Sequence, residues 1–285
     1  MVQAEGKTVS VIIPLGPPRR QTLLTLKSIQ KDQYPFKEII LVGNIRYKEQ
    51  YKDLISSCRD ANLRFVIHGN ERSEQKNYGA MVASGDYIFF IDDDMIIEPG
   101  LILECIRALS ENNADAVVIP QKILSVSFLG KIKKIGYEIK GAYEPVIAPR
   151  FIKKSVFLKI GGYDSTLVFG EDVDLAMRLI LGHFRFTKVN KSIWYIIDES
   201  IIHYLRKYFY YGRQAKKYII KWRKTYGEGH RIIFQRHIFP LNTIYFSNML
   251  RSFRNSRVMT FNFIILKLLE TYSFLLGLFL EGDYI

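Results

Sequence analysis

The chain has 285 residues, of which 48% are hydrophobic, which is enough for one large folded domain or a domain with an appendage. Its two cysteines, Cys58 and Cys105, form no Cys-x-x-Cys pair, which argues against a disulfide scaffold and a cysteine zinc site. The net charge of +13 resides almost entirely between His203 and Arg257, where thirteen Lys and Arg residues occur with one acid, Glu228.

β-Branched runs alternate with helical patterns along the first half of the chain. The predicted strands are Val9–Ile13, Glu38–Val42, Leu63–Ile67, Asp86–Ile91 and Asp115–Ile119. The predicted helices between them are Thr22–Gln30, Tyr47–Asn62, Ser73–Ala83 and one that begins after Gly100. This alternation predicts βαβ units, an α/β fold and a mostly parallel sheet, in which ligands bind beyond the carboxyl ends of the strands.

The second half of the chain is less regular. Residues 121–145 are predicted to form a loop or hairpin, and Phe151–Ile160, Val173–Leu181 and Leu205–Arg223 are predicted to be helices. The last of these has an aromatic stripe, which is interpreted as packing rather than as a base-stacking surface.

An acidic cluster, Asp92-Asp93-Asp94, follows the apolar stretch Tyr87–Ile91 without any intervening basic residue. Like charges at a strand end repel one another unless a positive group neutralises them, and carboxylates are suitable ligands for Mg²⁺ or Mn²⁺. On an extended strand Asp92 and Asp94 point the same way, so they can share one ion and its bound phosphates. The alternative is a polar loop in which Asp94 caps a helix within Ile96–Leu109.

Several motifs occur in a characteristic order. They are the apolar strand ending at Pro14, the N-x-G-x-x-x-A-x-G-D pattern of residues 77–86, the D-x-D of residues 92–94, the G-E-D-x-D-L of residues 170–175, and His203. Together they resemble the GT-A-fold, family-2 glycosyltransferases, an inverting group that includes dolichyl-phosphate mannose synthases and polysaccharide synthases. The resemblance extends over roughly residues 8–220 and implies a GT-A, Rossmann-like sheet flanked by helices.

The resemblance also implies roles for individual residues. Asp172 is implied to be the catalytic base. The implied metal ligands are Asp92, Asp94 and His203, which would hold a divalent ion, Mg²⁺ or Mn²⁺. The implied nucleotide-sugar-binding residues are Pro14, Asn44, Lys76, Asn77, Asp92 and Asp93, and the implied acceptor-binding residues are Glu171, Gln214 and Lys217. Without the acidic cluster, Glu171 and Asp172 would be interpreted as simple electrostatic partners of a helix N-terminus.

Three positions depart from the pattern of the family. Leu15-Gly-Pro-Pro18 replaces the usual polar segment after the first strand, and Gly43-Asn44 replaces the acidic pair after the second strand. Gln214-Ala-Lys-Lys-Tyr218 is a degenerate form of the Q-x-x-R-W of processive members, which puts polymer synthesis in doubt. The choice between UDP and GDP as the nucleotide therefore stays open.

The C-terminal region adds a membrane hypothesis. From Phe261 to Leu280 the polar positions fall within one half of a helical wheel, and the other half is wholly apolar. This pattern predicts an amphipathic helix in the plane of an anionic membrane surface, with a helix packed on the catalytic domain as the alternative. The predicted domains are therefore a catalytic domain at 1–203, a basic helical segment at 204–257 and an interfacial helix at 258–285.

The sequence thus predicts an inverting glycosyltransferase at the cytoplasmic face of the cell membrane. Met1–Thr8 lacks the features of a signal peptide, which favours the cytoplasmic side. The expected partners are a UDP- or GDP-linked sugar and a lipid-linked acceptor, without nucleic acid. The alternatives are a sugar nucleotidyltransferase, a nucleic-acid-binding protein that uses the basic segment, and a catalytically inactive, membrane-associated protein that binds nucleotide sugars.

Overall fold

The computed structural model describes residues 6–32, 34, 38–57, 62–124, 127–140, 149–226 and 243–280. The chain forms two compact units. The first, here called the sheet unit, comprises Met1–Lys122, Val146–Ser165 and Glu171–Ile196. The second, here called the helical unit, comprises Ile123–Pro145, Thr166–Gly170 and Ile197–Ile285.

Ten strands form two sheets. The strands are β1 (Val9–Leu15), β2 (Glu38–Gly43), β3 (Leu63–Ile67), β4 (Tyr87–Phe90), β5 (Met95–Ile97), β6 (Ala116–Val118), β7 (Gln121–Leu124), β8 (Phe151–Lys153), β9 (Phe186–Lys188) and β10 (Ile193–Ile196). The main sheet has the order β3-β2-β1-β4-β8-β6-β9, and β5, β10 and β7 form the second. In the main sheet only β8 is antiparallel to its neighbours, which confirms the predicted α/β class.

The helices divide between the two units. The sheet unit contains α1 (Gln21–Gln30), a 3-10 helix (Ile45–Tyr51), α2 (Lys52–Ser57), α3 (Arg72–Val82), α4 (Leu101–Glu111), α6 (Lys154–Lys159) and α7 (Glu171–Leu181). The helical unit contains α5 (Phe128–Lys140), α8 (Ile201–Tyr226), α9 (Thr243–Asn255) and α10 (Arg257–Phe279). The predicted C-terminal helical extension is thus confirmed.

The main sheet is apolar on both faces, as expected for a parallel sheet covered by helices. On one face Val11 of β1 is buried with Ile29 of α1, and on the other Ile12 is buried with Ala80 of α3. Gly79 allows α3 to approach closely, because a Cβ at this position would lie 2.5 Å from the Ile12 side chain. Gln75 of α3 donates to the carbonyl oxygens of Leu15 and Val42, which places this part of α3 at the carboxyl ends of β1 and β2.

Three predicted elements differ from the structure. The predicted helix at Tyr47–Asn62 is instead a 3-10 helix followed by α2, because the Asn44 side chain caps the 3-10 turn; residues 58–61 lie outside the described part. The predicted loop at 121–145 contains β7 and α5, while 125–126 and 141–148 are outside the description. The predicted helix at Phe151–Ile160 begins with β8, because these residues pair with β4 and β6.

Glu38 links three parts of the sheet unit and provides a test of its stability. Its carboxylate accepts hydrogen bonds from the Ser10 hydroxyl at 2.9 Å, the Ser84 amide at 2.7 Å, the Ser84 hydroxyl at 2.6 Å and Arg64 at 2.8 Å. Burial by itself raises the pKa of Glu38, but the hydrogen bonds outweigh it and lower the pKa from 4.5 to about 2. The stabilisation is therefore complete above the ordinary pKa and is lost as the pH falls toward 2.

We expect Glu38→Gln to lower the free energy of unfolding by ~3 kcal/mol near neutral pH, as the lowered pKa implies. Urea denaturation near neutral pH and at a pH of about 3 measures this effect, which should shrink at the acidic pH. Glu49→Gln, at an exposed position beside Lys52, serves as the control. Equal stability of Glu38→Gln and wild type near neutral pH would contradict the role of this carboxylate.

Candidate active site

The acidic cluster lies in a turn at the carboxyl end of β4. Asp92, Asp93 and Asp94 are only 7%, 3% and 4% exposed. The predicted extended conformation is wrong, because β4 ends at Phe90 and the amide of Met95 donates to the Asp92 carbonyl oxygen at 3.2 Å. The alternative of a helix cap is also wrong, since Met95 begins β5 and the next helix begins only at Leu101.

Two arginines that the motifs did not predict hold this cluster. Arg150, directly before β8, donates from Nη2 to Asp92 Oδ2 at 3.0 Å, and both side chains are buried. Arg19, in the loop after β1, donates from Nη1 to Asp94 Oδ2 at 3.1 Å. The backbone amide of Gly16, in the same loop, donates to Asp93. The loop after β1 and the start of β8 therefore both contact the acidic cluster.

The three carboxylates differ in acidity. Burial raises the pKa of Asp92, but the charges of Arg150, Lys76 and Arg72 outweigh it and hold the pKa well below its usual range. Burial, followed by the charges of the other two carboxylates, raises the pKa of Asp94 to about 6. Burial also raises the pKa of Asp93. The acidic cluster therefore has unsatisfied negative charge around Asp94, which a further cation would relieve.

The donor atoms of the cluster suit a divalent cation. Asp92 Oδ1, Asp93 Oδ2 and Asp94 Oδ1 are buried, and none of the described residues donates a hydrogen bond to them. Within the described ranges no group of three or more His, Cys, Asp and Glu side chains is arranged to hold a metal. Mg²⁺ is commonly held by one or two carboxylates, and water and substrate phosphates complete its shell.

A second pair of acids, Glu171 and Asp172, occupies the first turn of α7. Lys76 of α3 lies with its Nζ 3.4 Å from Asp172 Oδ1 and 4.7 Å from the centre of the Tyr163 ring. The Lys76 side chain is 3% exposed, whereas that of Asp172 is 41% exposed and open to a ligand. Burial and then the charge of Asp172 raise the pKa of Glu171 to about 7.

Two cations join the acidic cluster to this second pair. Burial lowers the pKa of Arg150, but the charges of Asp92 and Asp172 outweigh it and raise the pKa above its ordinary value. Lys76 also interacts with both carboxylates. Its charge lowers the pKa of Asp92, and its ammonium group forms an ion pair with Asp172. One end of this arrangement presents buried carboxylate oxygens to which no described residue donates, and the other presents an accessible carboxylate that can accept a proton.

Two predicted nucleotide-sugar-binding residues, Pro14 and Asn44, have structural partners in the sheet unit. Pro14 is buried within β1, opposite Val42. The Asn44 side chain accepts from the Arg46 amide at 2.9 Å and donates to the Asn70 carbonyl oxygen at 2.7 Å. Because both of its polar ends have partners, Asn44 would have to give up a contact to bind a base.

Asn77 braces the turn that precedes α7. Its side chain donates to the Tyr163 carbonyl oxygen and accepts from the Tyr163 amide, both at 2.8 Å. The turn includes Gly162, which has φ of +67°, and a Cβ there would lie 2.6 Å from Asn77 Oδ1. Asn77, the first residue of the Asn-x-Gly pattern, therefore joins α3 to Tyr163. Lys76 lies over the ring of the same tyrosine.

The other three predicted residues belong to α8 in the helical unit. His203 is exposed in the first turn, where its amide donates to the Ser200 hydroxyl at 3.2 Å. Gln214 is half-buried and Lys217 is exposed. Their assignment to the metal and to the acceptor stays a prediction.

The sequence of this chain is similar to those of known proteins. The family model described as "Glycosyl transferase family 2" matches residues 10–162, more than half of the chain. An uncharacterized glycosyltransferase of Haemophilus influenzae is 23% identical over 202 residues, which cover 66% of this chain and 67% of that relative.

Two further relatives are similar over shorter stretches. A glucosyl-dolichyl phosphate glucuronosyltransferase of Haloferax volcanii is 28% identical over 165 residues, half of each chain. Glycosyltransferase GlyG of Streptococcus pneumoniae is 26% identical over 116 residues, which cover 40% of this chain and 38% of the relative. The chain therefore spans half or less of the length of these two relatives.

Proposed function

The chain belongs to glycosyl transferase family 2, and from this membership we propose that it transfers a sugar, with inversion, from a nucleotide-diphosphate sugar to a lipid-linked or saccharide acceptor. One observation supports the proposal most strongly. Arg150 and Lys76 lie between a buried acidic cluster suited to a metal and an accessible carboxylate at the start of α7. A donor bound at the acidic cluster and an acceptor bound at the start of α7 would meet beside Arg150 and Lys76.

The acidic cluster is proposed as the donor side. Asp92 and Asp94 would hold Mg²⁺ or Mn²⁺ through their unpartnered oxygens, and the bound ion would neutralise charge on the leaving diphosphate. Lys76 and Arg150 would supply further positive charge to the diphosphate. Four further residues are proposed to support binding of the nucleotide sugar, either directly or through the loops that they hold. They are Pro14, Asn44, Asn77 and Asp93.

The start of α7 is proposed as the acceptor side. Asp172 would accept the proton of the attacking hydroxyl, because its side chain is accessible and is held by Lys76. A single in-line displacement at the anomeric carbon would then invert its configuration without a covalent enzyme intermediate. Glu171 would orient the acceptor. Gln214 and Lys217 of α8 stay proposed acceptor-binding residues, and His203 stays a proposed additional metal ligand.

A lipid-linked acceptor at the cytoplasmic membrane surface is also proposed. The relative from Haloferax volcanii is named for a dolichyl-phosphate-linked substrate. Among the described residues, Arg257–Phe279 is the one helix that is long and apolar enough to cross a membrane. The basic residues between His203 and Arg257 would favour an anionic surface, where the head group of a lipid acceptor lies.

A screen of nucleotide sugars tests the proposed activity. The purified full-length chain is incubated with UDP- and GDP-linked sugars and Mg²⁺ or Mn²⁺, and nucleotide release is measured by chromatography. We expect UDP or GDP to be released from at least one donor, and chelation of the metal to stop it. Metal-dependent binding of UDP or GDP without any release would favour the inactive binding protein, while pyrophosphate exchange would favour the nucleotidyltransferase.

A further inference from the structure

The outward face of α10 is apolar along its whole length. The exposed side chains follow helical spacing along one side and are Val258, Phe261, Ile265, Leu268, Leu269, Tyr272, Leu275 and Phe279. Phe261, Leu268 and Phe279 are 59%, 61% and 77% exposed. A continuous apolar stripe of this kind marks a surface that another molecule covers.

The half of α10 that carries its polar residues faces inward, where Thr260 and Glu270 are buried together with Phe263, Leu266 and Phe274. Glu270 is buried and accepts a hydrogen bond from the Tyr204 hydroxyl at 2.6 Å, and Lys267 forms an ion pair with it. Near the start of α10, Thr260 and Ser252 share a hydrogen bond of 2.9 Å. Polar and apolar contacts therefore both hold α10 within the helical unit, and its wholly apolar half is turned outward.

The neighbouring helix α8 presents a basic face. Its exposed residues at helical spacing are Arg206, Tyr210, Arg213, Lys217, Ile220 and Lys224. No acid occurs anywhere between Ile201 and Tyr226, so nothing within α8 neutralises this face. Acidic surfaces would be attracted to it.

The basic face and the apolar face are held close together. α8 and α10 cross at Gly212 and Gly277, where a Cβ on either glycine would overlap a carbonyl oxygen of the other helix, that of Phe274 or that of Phe209. Both helices also contact α5. Lys133 of α5 lies over the ring of Tyr204 in α8, and Gly136 of α5 lies against Phe263 in α10. The basic face and the apolar face therefore belong to neighbouring helices of the helical unit.

We infer that this combined surface, the apolar stripe of α10 beside the basic face of α8, docks on an anionic lipid bilayer with α10 lying in the interface. A second copy of the chain would place one basic face near another, whereas anionic head groups complement it. A spanning α10 would have to leave α8 and take Glu270 and Lys267 into hydrocarbon. The inference deepens the membrane attachment proposed above.

Vesicle flotation with variants of the apolar stripe tests the inference. Full-length protein should float with vesicles of phosphatidylglycerol and phosphatidylcholine, and alkaline carbonate should release it. Leu268→Glu should reduce the vesicle partition coefficient by about tenfold or more, because a leucine that would enter the bilayer is exchanged for a charge. Leu158→Glu is the matched control, since Leu158 is 51% exposed on the sheet unit, and it should float like the wild type.

Charge variants test the lipid chemistry separately. Arg206→Gln with Lys224→Gln should lower partitioning by about fivefold per charge at low salt, and high salt should remove the difference. Lys48→Gln with Lys52→Gln, which removes two exposed charges from the sheet unit, should have no such effect. Neutral phosphatidylcholine vesicles should bind the wild type and the Arg206/Lys224 variant equally weakly.

Three outcomes would overturn the inference. The wild type could fail to float, it could resist alkaline carbonate as a spanning protein does, or it could be a dimer that Leu268→Glu converts to monomers. Circular dichroism of each variant confirms that it is folded. Metal-dependent binding of UDP and GDP, measured on the same samples, separates failure of this surface from failure of the proposed sugar transfer.

Discussion

Replacing Asp172 by asparagine should lower the rate of sugar transfer roughly a hundredfold or more, the usual contribution of a general base. Asparagine keeps the shape of the side chain and an oxygen for Lys76, whose Nζ is 3.4 Å from Asp172 Oδ1. Folding and donor binding should therefore be preserved, and only the ability to accept a proton is lost. Steady-state turnover at saturating donor measures the effect.

Glu171→Gln is the matched comparison for Asp172→Asn, because it changes the adjacent acid of the same helical turn. It should affect the acceptor KM more than turnover, in keeping with a role in orienting the acceptor. Near-normal turnover of Asp172→Asn, with a large loss in Glu171→Gln, would move the proton-accepting role to Glu171.

Replacing Asp94 by alanine should abolish the metal-dependent binding of UDP or GDP. The expected loss exceeds the roughly 10- to 100-fold that removal of a second-shell partner costs a metal site. The protein should stay folded, because burial and the charges of Asp92 and Asp93 raise the pKa of Asp94 to about 6, so its ionised form is unfavourable in the native state. Calorimetric titration with and without Mn²⁺ measures the loss.

Asp53→Ala provides the control for Asp94→Ala, since Asp53 is an exposed carboxylate of α2. Its nucleotide affinity should equal that of the wild type. Unchanged metal-dependent affinity in Asp94→Ala would contradict the assignment of the acidic cluster to the metal and the diphosphate.

The sheet could be predicted from the sequence because its strands are apolar runs separated by helical patterns of ordinary length. The acidic cluster could also be placed at the end of β4, because it directly follows the apolar run Tyr87–Ile91. Short elements could not be predicted in the same way. β8 has three residues, too few for a periodic signal, and only its pairing with β4 and β6 defines it as a strand.

The cations of the site depend on tertiary structure. Arg150 and Asp92 are 58 positions apart, and Arg19 and Asp94 are 75 positions apart, so no local pattern joins either pair. Arg150 directly precedes Phe151–Ile160, for which the sequence predicts a helix, so its position beside β4 could not be predicted. Lys76 could be predicted, since it directly precedes the Asn-x-Gly pattern, but its contact with Asp172 depends on the packing of α3 and α7.

The measurement that tests the account most directly is transfer of a radiolabelled sugar to lipid. Wild type, Asp172→Asn and Asp94→Ala are each incubated with the active nucleotide sugar, Mn²⁺ and vesicles containing polyprenyl phosphate, and label in the solvent-extracted lipid is counted. The account predicts metal-dependent labelling of lipid by the wild type and little or none by either variant. Labelling by Asp172→Asn at the wild-type rate, or no labelled lipid from the wild type, would contradict it.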